Sequence, residues 1–251
     1  MSDPRVYLST MHDAARYVTG MRISRDAPHD RYPFDLPAVA HVAASGLRLA
    51  AGVTFIIGEN GSGKSTLVEA LAVAAGLNAE GGSQHYRFAT RATESELSDY
   101  IDLSWGPTKP RSRFFLRAES FYNVATETEA LGDLTIYDDV SPHERSHGES
   151  FIDLIAHRFF PRGLYLMDEP EAALSPRGCM TVLAMIAELT DDGCQFIIAT
   201  HSPILLALPG ATIYEIADDG EIESVSYDAA APVRITRDFL AEPNRFLRHL
   251  L

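Results

Sequence analysis

The 251-residue chain predicts an α/β fold with a mainly parallel central sheet. Short apolar runs alternate with helical patterns along the chain, and strands that alternate with helices build parallel sheets covered by helices. The composition, with 46% hydrophobic and 22% charged residues, is that of a globular protein with a large core. It excludes a disordered chain, a collagen-like chain and a disulfide scaffold.

Local patterns predict the individual elements. Apolar runs of strand length predict strands at 53–57, 114–117, 164–167 and 196–199. Helical periodicity predicts helices at 65–75, at 150–160 and from Pro176 onward. Gly76 and Pro161 end the first two helices, and Ser175 is the expected N-cap of the third.

A turn sequence, Asp218-Asp219-Gly220, separates apolar runs at 213–217 and 221–227 and predicts a hairpin. Residues 77–150 fit the alternation of strands and helices poorly, so we interpret them as an insertion rather than a second domain. The chain is then a single domain, 1–251. Its parts are a core at 20–76 and 151–227, an inserted helical lobe at 77–150 and a C-terminal tail at 228–251.

Basic residues are concentrated in two stretches of a chain whose formal net charge is −14. The first stretch is Lys109, Arg111, Arg113 and Arg117, whose three arginines share one face of an extended strand. It is a candidate contact for nucleic acid or an acidic protein, with a solvated face as the simpler interpretation. The second stretch is in the tail. There we expect a helix with a polar face of Arg234, Arg237, Arg245 and Arg248 and an inward face of Phe239, Phe246 and Leu247.

Targeting patterns and cysteine usage predict a cytoplasmic protein. No secretory pattern follows Met1, and no run of 18 apolar residues occurs in the sequence. Cys179 and Cys194 are expected to be free thiols in a reducing compartment.

The strongest motif is a phosphate-binding loop between the strand at 53–57 and the helix at 65–75. Glycines permit the tight turn, so that backbone N–H groups and the helix N-terminus face the phosphates of a nucleotide. Lys64 is expected to bridge the β- and γ-phosphates, and the Ser65 hydroxyl to ligate Mg²⁺. The nucleotide-binding residues predicted from the motif are Gly58, Glu59, Asn60, Gly61, Ser62, Gly63, Lys64, Ser65 and Thr66.

Two adjacent acids follow the strand at 164–167. Ligands of open α/β sheets bind at the carboxyl ends of the strands, which is where Asp168 and Glu169 lie. Asp168 is expected to hold the Mg²⁺ shell, and Glu169 to polarise a water for attack on the γ-phosphate.

With these motifs in this order, the chain resembles the ABC-type ATPases, a superfamily that includes transporter subunits and the SMC, Rad50 and RecF proteins. Ser146-His147-Gly148-Glu149-Ser150 stands where the family has its signature motif. Ala173-Leu174-Ser175-Pro176 corresponds to the D-loop, and His201 to the switch histidine. The run from Asp168 to Pro176 is most similar to the small stand-alone ATPases of the RecF-like kind, the AAA_21 subgroup.

The resemblance implies a homodimer that sandwiches two ATP molecules. Ser146 and Gly148 of one subunit would contact the γ-phosphate held by the other. His201 would hydrogen-bond the γ-phosphate and steady Glu169. The sequence independently allows a simpler interpretation of Ser146 and Glu149 as a capping box at a helix start.

Two features depart from the family pattern. No glutamine follows the strand at 114–117, and Glu119 stands in its place, as a possible Mg²⁺ ligand or as a surface glutamate. The aromatic residue that stacks on adenine has two candidates, Tyr32 and Phe34.

The sequence thus predicts a soluble ATPase that uses ATP and Mg²⁺ and acts on an unidentified partner process. The alternatives are the nucleotide-binding subunit of a transporter, a slowly hydrolysing ATP-gated clamp that acts with a DNA-processing or defence partner, and a phosphoryl-transfer kinase.

Overall fold

The computed structural model describes residues 16–79, 82, 96–119 and 147–251. Its strands are β1 (Val18–Ile23), β2 (Leu47–Arg48), β3 (Val53–Gly58), β4 (Ile101–Trp105), β5 (Ser112–Arg117), β6 (Gly163–Asp168), β7 (Gln195–Ala199), β8 (Thr212–Ile216) and β9 (Ile222–Val225). Its α-helices are α1 (Pro37–Ser45), α2 (Lys64–Ala74), α3 (His147–Arg158), α4 (Pro176–Asp191), α5 (Ala231–Ala241) and α6 (Pro243–Leu250). Short 3-10 helices lie at Glu96–Tyr100, Pro170–Ala173 and Leu205–Ala207.

The central sheet has six strands in the order β5-β6-β7-β3-β8-β9. All neighbouring pairs are parallel except β8 and β9, which form the expected hairpin with Ile216 opposite Ile222. The mainly parallel α/β fold is therefore confirmed. Its strand order brings the carboxyl ends of β3, β5, β6 and β7 to one edge of the sheet, which is the edge that carries the phosphate loop and both acids.

Both faces of the sheet are covered, because alternate residues of each strand point to opposite sides. Phe55 and Ile57 of β3 pack in one core with residues of α3 and α4, whereas Ile56 packs in a second core with residues of α1 and α2. Strands buried on both faces read as continuous apolar runs, as the sequence of this sheet does.

A second, antiparallel sheet of the order β2-β1-β4 lies against the second core. Buried Gln195 joins the two sheets: its amide accepts from the N–H groups of Tyr17 and Val18 and donates to the carbonyls of Val18 and Ala50. The sequence analysis did not predict this sheet. Its strand β4, and strand β5 of the central sheet, both fall within residues 77–150, where the sequence analysis placed an inserted lobe. The division into core, lobe and tail stays a prediction.

The three predicted core helices are present with shifted ends, and helix α1 was not predicted. Helix α3 begins earlier than predicted, at His147, and Ser175 caps α4 by accepting from the Gly178 N–H at 3.1 Å. The expected inward packing of the tail is wrong, because Phe239 and Leu247 are each 37% exposed. Phe239 contacts the ring of Phe246 edge-on, and among the tail residues whose burial is described, only Ala230 and Val233 are buried.

Two expectations on membranes and thiols can be compared with the described residues. Within these ranges, no helix is both long enough and apolar enough to cross a bilayer. Cys179 and Cys194 are both buried free thiols.

Candidate functional site

The phosphate loop turns from the end of β3 into the start of α2 by means of its glycines. Gly63, the N-cap of α2, has φ +97°, a left-handed conformation that side-chain-bearing residues rarely adopt. At Gly58 a Cβ atom would lie 2.8 Å from the Ser62 hydroxyl and 3.0 Å from the Ile216 carbonyl. Both positions therefore require glycine, and the loop can approach a ligand with its backbone.

Lys64 lies almost fully buried beneath this loop, with its Nζ atom donating to the Glu59 carbonyl at 3.0 Å. Burial lowers the pKa of Lys64, and the carboxylates of Glu169 and Asp168 oppose that shift. A buried cation beside a ring of backbone donors is a suitable site for the phosphates of a nucleotide.

Asp168 connects the phosphate loop with strand β5. Its Oδ1 atom accepts from the Ser65 hydroxyl at 2.9 Å, and its Oδ2 atom lies 3.4 Å from Nε of Arg117. Arg117 also donates to Glu69 of α2 at 2.8 Å. Arg117 and Asp168 are register partners in the parallel pairing of β5 and β6, which explains why their side chains meet.

Burial dominates the electrostatics of Asp168, whose side chain is 6% exposed. Desolvation raises its pKa to about 6, although the Ser65 hydrogen bond and the Arg117 charge both act to lower it. A carboxylate held in this way gains from any cation that binds next to it.

Glu169 and His201 come together at the ends of β6 and β7. The Glu169 N–H donates to the Ala199 carbonyl at 2.9 Å, and its φ of +48° turns the chain sharply out of the strand. Its carboxylate, at 38% exposure, lies 3.7 Å from Nε2 of His201. The resemblance to the ABC-type ATPases implies that these two residues lie close together, and their roles in hydrolysis stay predictions.

Three buried side-chain atoms of the described residues lack a hydrogen-bond partner, and all three belong to this site. They are Ser62 Oγ, Arg117 Nε and His201 Nε2. Arg117 Nε faces the Asp168 carboxylate at 3.4 Å. Ser62 Oγ and His201 Nε2, by contrast, can still bond a polar group or a water. The adjacent Ser65 hydroxyl and Asp168 carboxylate are hard oxygen donors of the kind that Mg²⁺ prefers, so the residues fit this ion.

A cavity of about 380 Å³ opens over the phosphate loop, lined by Asn60, Lys64, Thr66, Glu119 and Glu169 among others. Tyr32, at 69% exposure, stands at its edge. Phe34 is 2% exposed and packs edge-on against Tyr100. The structure thus separates the two aromatic candidates, since only Tyr32 is accessible to a base.

Three further residues that the sequence analysis predicts at the site are Ser146, Gly148 and Glu119. Ser146 lies outside the described residues. Gly148, in the first turn of α3, lies against the D-loop, where an added Cβ atom would be 3.3 Å from the Ala173 carbonyl. Glu119 lines the cavity with a side chain that is 85% exposed and 4.0 Å from Arg117. The roles of all three stay predictions.

The basic stretch does not form the single exposed face that strand alternation predicted. Arg113 donates to the Ala75 carbonyl at 2.8 Å and lies over the Trp105 ring. Arg117 is engaged with Glu69 and Asp168. Two of the four charges therefore act inside the protein, because β5 lies in the central sheet and the side chains of Arg113 and Arg117 reach groups at α2 and its C-terminal end.

Sequence reasoning missed two residues of the site, Arg117 in its actual role and Glu171. The Glu171 carboxylate accepts from the Thr200 hydroxyl and from the His201 N–H. An acid three residues after Asp168 is an ordinary feature of a loop, so the pattern alone carried no sign of this contact.

Two family models match adjacent parts of the chain. One, described as "AAA domain", matches residues 43–131, and one described as "AAA domain, putative AbiEii toxin, Type IV TA system" matches residues 131–207.

The chain is also similar to curated proteins named for ATP binding. An ABC transporter ATP-binding protein of Methanothermobacter marburgensis is 37% identical over 89 residues, which are 35% of this chain and 32% of the relative. One of Methanosarcina acetivorans is 28% identical over 210 residues, 69% of this chain and 74% of the relative. The macrolide export ATP-binding/permease protein MacB of Hahella chejuensis is 31% identical over 195 residues, 66% of this chain and 28% of the relative. The match thus spans about a third of the Methanothermobacter protein.

Among solved structures, a nucleotide-free ATP-binding cassette from an ABC transporter aligns with a TM-score of 0.45 at 18% identity, covering 77% of this chain and 87% of that one. The SMC head domain from Thermotoga maritima aligns with a TM-score of 0.41 at 14% identity, covering 84% and 97%.

Proposed function

The chain belongs to the ABC-type P-loop ATPases, and we propose that it binds Mg-ATP and hydrolyses it at the interface of a nucleotide-sandwiched homodimer. The observation that carries this proposal is the cavity over the phosphate loop, which Lys64, Ser65 and Glu169 line together and at which the Ser65 hydroxyl donates to Asp168 at 2.9 Å. A buried cation and a hydroxyl that line one cavity with a partly exposed carboxylate suit the phosphates of a nucleotide and a water beside them.

Binding combines backbone and side-chain groups. The N–H groups of the loop and the N-terminus of α2 hold the phosphates, and Lys64 supplies the positive charge beneath them. Ser65 and Asp168 would hold Mg²⁺, which would neutralise charge on the phosphate oxygens. Tyr32 stacks on the adenine at the cavity edge.

Hydrolysis uses the two groups at the ends of β6 and β7. Glu169 accepts a proton from the attacking water, whose oxygen forms the new bond to the γ-phosphorus. The bond between that phosphorus and the bridging oxygen breaks, and ADP leaves with the electron pair. His201, 3.7 Å from Glu169, donates to the γ-phosphate and keeps the carboxylate oriented.

The second subunit completes each site. Gly148, in the first turn of α3, and Ser146, which precedes this helix in the sequence, would contact the nucleotide of the partner, and the carbonyl of Ala173 in the D-loop lies beside Gly148. The dimer therefore forms only when nucleotide is bound.

The test uses variants that separate binding from turnover. Lys64→Ala abolishes tight ATP binding, whereas Glu169→Gln retains binding and lowers turnover by about 10² or more, the usual size of a general-base effect. Glu169→Gln with ATP elutes as a dimer in size-exclusion chromatography with light scattering, and the nucleotide-free protein elutes as a monomer. Glu223→Gln, at an exposed position of β9, is the matched control. A trapped variant that stays monomeric at saturating ATP contradicts the sandwich.

A second candidate is the nucleotide-binding subunit of a transporter, which the names of the relatives favour. It predicts that the chain copurifies from detergent-extracted membranes with a membrane-spanning protein and that this protein stimulates hydrolysis. The name of the second family model favours a third candidate, an ATP-gated clamp that acts with a defence partner. This candidate predicts slow hydrolysis and a nucleotide-dependent complex without a membrane component.

A further inference from the structure

The carboxylate of Glu171 joins two loops that follow different strands of the central sheet. Glu171 lies in the 3-10 helix Pro170–Ala173, directly after the water-activating carboxylate of Glu169. Its Oε2 atom accepts from the Thr200 hydroxyl at 2.8 Å, and its Oε1 atom accepts from the N–H of His201. Both donors belong to the loop after β7.

These two contacts hold Thr200 and His201, which follow the last residue of β7. Thr200 is fully buried, and its N–H makes the last hydrogen bond toward β3, to the Ile56 carbonyl at 3.2 Å. Its hydroxyl also accepts from the Ser202 N–H at 3.0 Å, which fixes the turn around His201. Hydrogen bonds to an ionised carboxylate are shorter and stronger than neutral ones, so Glu171 is well suited to hold this turn.

The contact controls where the His201 ring lies. No hydrogen bond holds Nε2 of the ring in the described structure, and its neighbour Glu169 is 3.7 Å away. The position of the ring therefore depends on the main chain of His201, and Glu171 holds the N–H group of that main chain.

Glu171 also belongs to the segment that leads into the D-loop. Its carbonyl accepts from the Leu174 N–H at 3.0 Å, and Ala173 at the end of the same 3-10 helix lies beside Gly148 of α3. One residue thus connects the start of the D-loop with the loop that carries His201.

We infer that Glu171 is a positioning residue, which sets His201 against Glu169 and the γ-phosphate and makes the position of His201 follow the position of the D-loop. The expected change in kcat rests on the proposed hydrolysis of ATP. The expected change in the position of His201 rests on the hydrogen bonds alone. Glu171 acts on the reaction through His201, without touching the nucleotide.

Variants of Glu171 and Thr200 remove the hydrogen bonds of Glu171 to different extents. Glu171→Ala removes both acceptors. Glu171→Gln retains the size and can accept from the His201 N–H with its oxygen while its amide donates to the Thr200 hydroxyl, so it is the conservative rescue. Thr200→Val removes the contact with Glu171 and the hydrogen bond from the Ser202 N–H, whereas Thr200→Ser retains the hydroxyl that makes both. The comparison of these two variants carries the test together with Glu171→Gln if Glu171→Ala does not fold.

The kinetic test compares turnover with nucleotide affinity. Glu171→Ala lowers kcat by about tenfold or more while the Kd for ATP changes by less than about threefold, and Glu171→Gln restores most of kcat. In a His201→Ala background, Glu171→Ala causes little further loss, since its effect passes through the histidine. Equal losses of kcat in both backgrounds, or full turnover in Glu171→Ala, overturn the inference.

A second readout does not depend on hydrolysis. Amide hydrogen exchange of the nucleotide-free protein at His201 accelerates by about tenfold or more in Glu171→Ala and less in Glu171→Gln, because the N–H loses its carboxylate. Unchanged exchange at His201 overturns the inference whatever the activity. If exchange responds while the wild-type protein hydrolyses no ATP, the proposed function fails and the structural contact stands.

Discussion

Asp168 offers a direct test of the electrostatics of the site through the pH dependence of stability. Burial raises its pKa to about 6, above the ordinary value of 3.8, so the folded protein disfavours the ionised form. Protonated Asp168 therefore stabilises the folded protein, and this contribution to the free energy of unfolding is fully present below about pH 4. It is lost as the pH rises from about 4 through about 6. The difference between the two pKa values corresponds to about 3 kcal/mol at neutral pH.

Asp168→Asn removes this dependence, because the amide stays neutral and its oxygen can still accept from the Ser65 hydroxyl. In urea unfolding without Mg²⁺ and nucleotide, we expect the stability of the variant relative to wild type to increase by about 3 kcal/mol between pH 4 and pH 7.5. Asp30→Asn, at an exposed position, is the control and should show no such trend. A difference between Asp168→Asn and wild type that is constant with pH would refute the reasoning.

Three further predictions concern the loop, the cavity edge and the basic stretch. Gly63→Ala costs about 1–2 kcal/mol in chemical unfolding, because a residue with a Cβ atom is strained at φ +97°; an unchanged midpoint would contradict this. Tyr32→Ala weakens ATP binding about tenfold in calorimetry through loss of stacking, while the exposed Tyr227→Ala does not, and equal affinities would exclude stacking on Tyr32. In fluorescence anisotropy we expect no binding of duplex DNA at physiological ionic strength, and saturable binding that Arg111→Glu abolishes would restore the basic stretch as a DNA contact.

The phosphate loop and the elements of the central sheet could be predicted because their patterns are contiguous. The loop at 58–65 carries its glycines and Lys64 within one turn, and each buried strand is a single apolar run. The antiparallel sheet was missed because β2 has only two residues and β4 is mostly exposed, so neither has a long apolar pattern. The packing of the tail was predicted wrongly because amphipathic periodicity shows which face is apolar and does not show whether a surface exists to cover it.

The sequence by itself determined the phosphate loop, the order of the central-sheet strands with α2, α3 and α4, and the positions of Asp168, Glu169 and His201 at strand ends, since each depends on neighbours along the chain. The tertiary structure alone decided the partners of these residues. Arg117 lies beside Asp168 because β5 pairs in parallel with β6, and Glu171 reaches the His201 N–H because β6 and β7 end at the same edge. Strand order in a parallel sheet is set by long-range packing, so charges that neutralise each other inside the protein read in the sequence as unrelated surface residues.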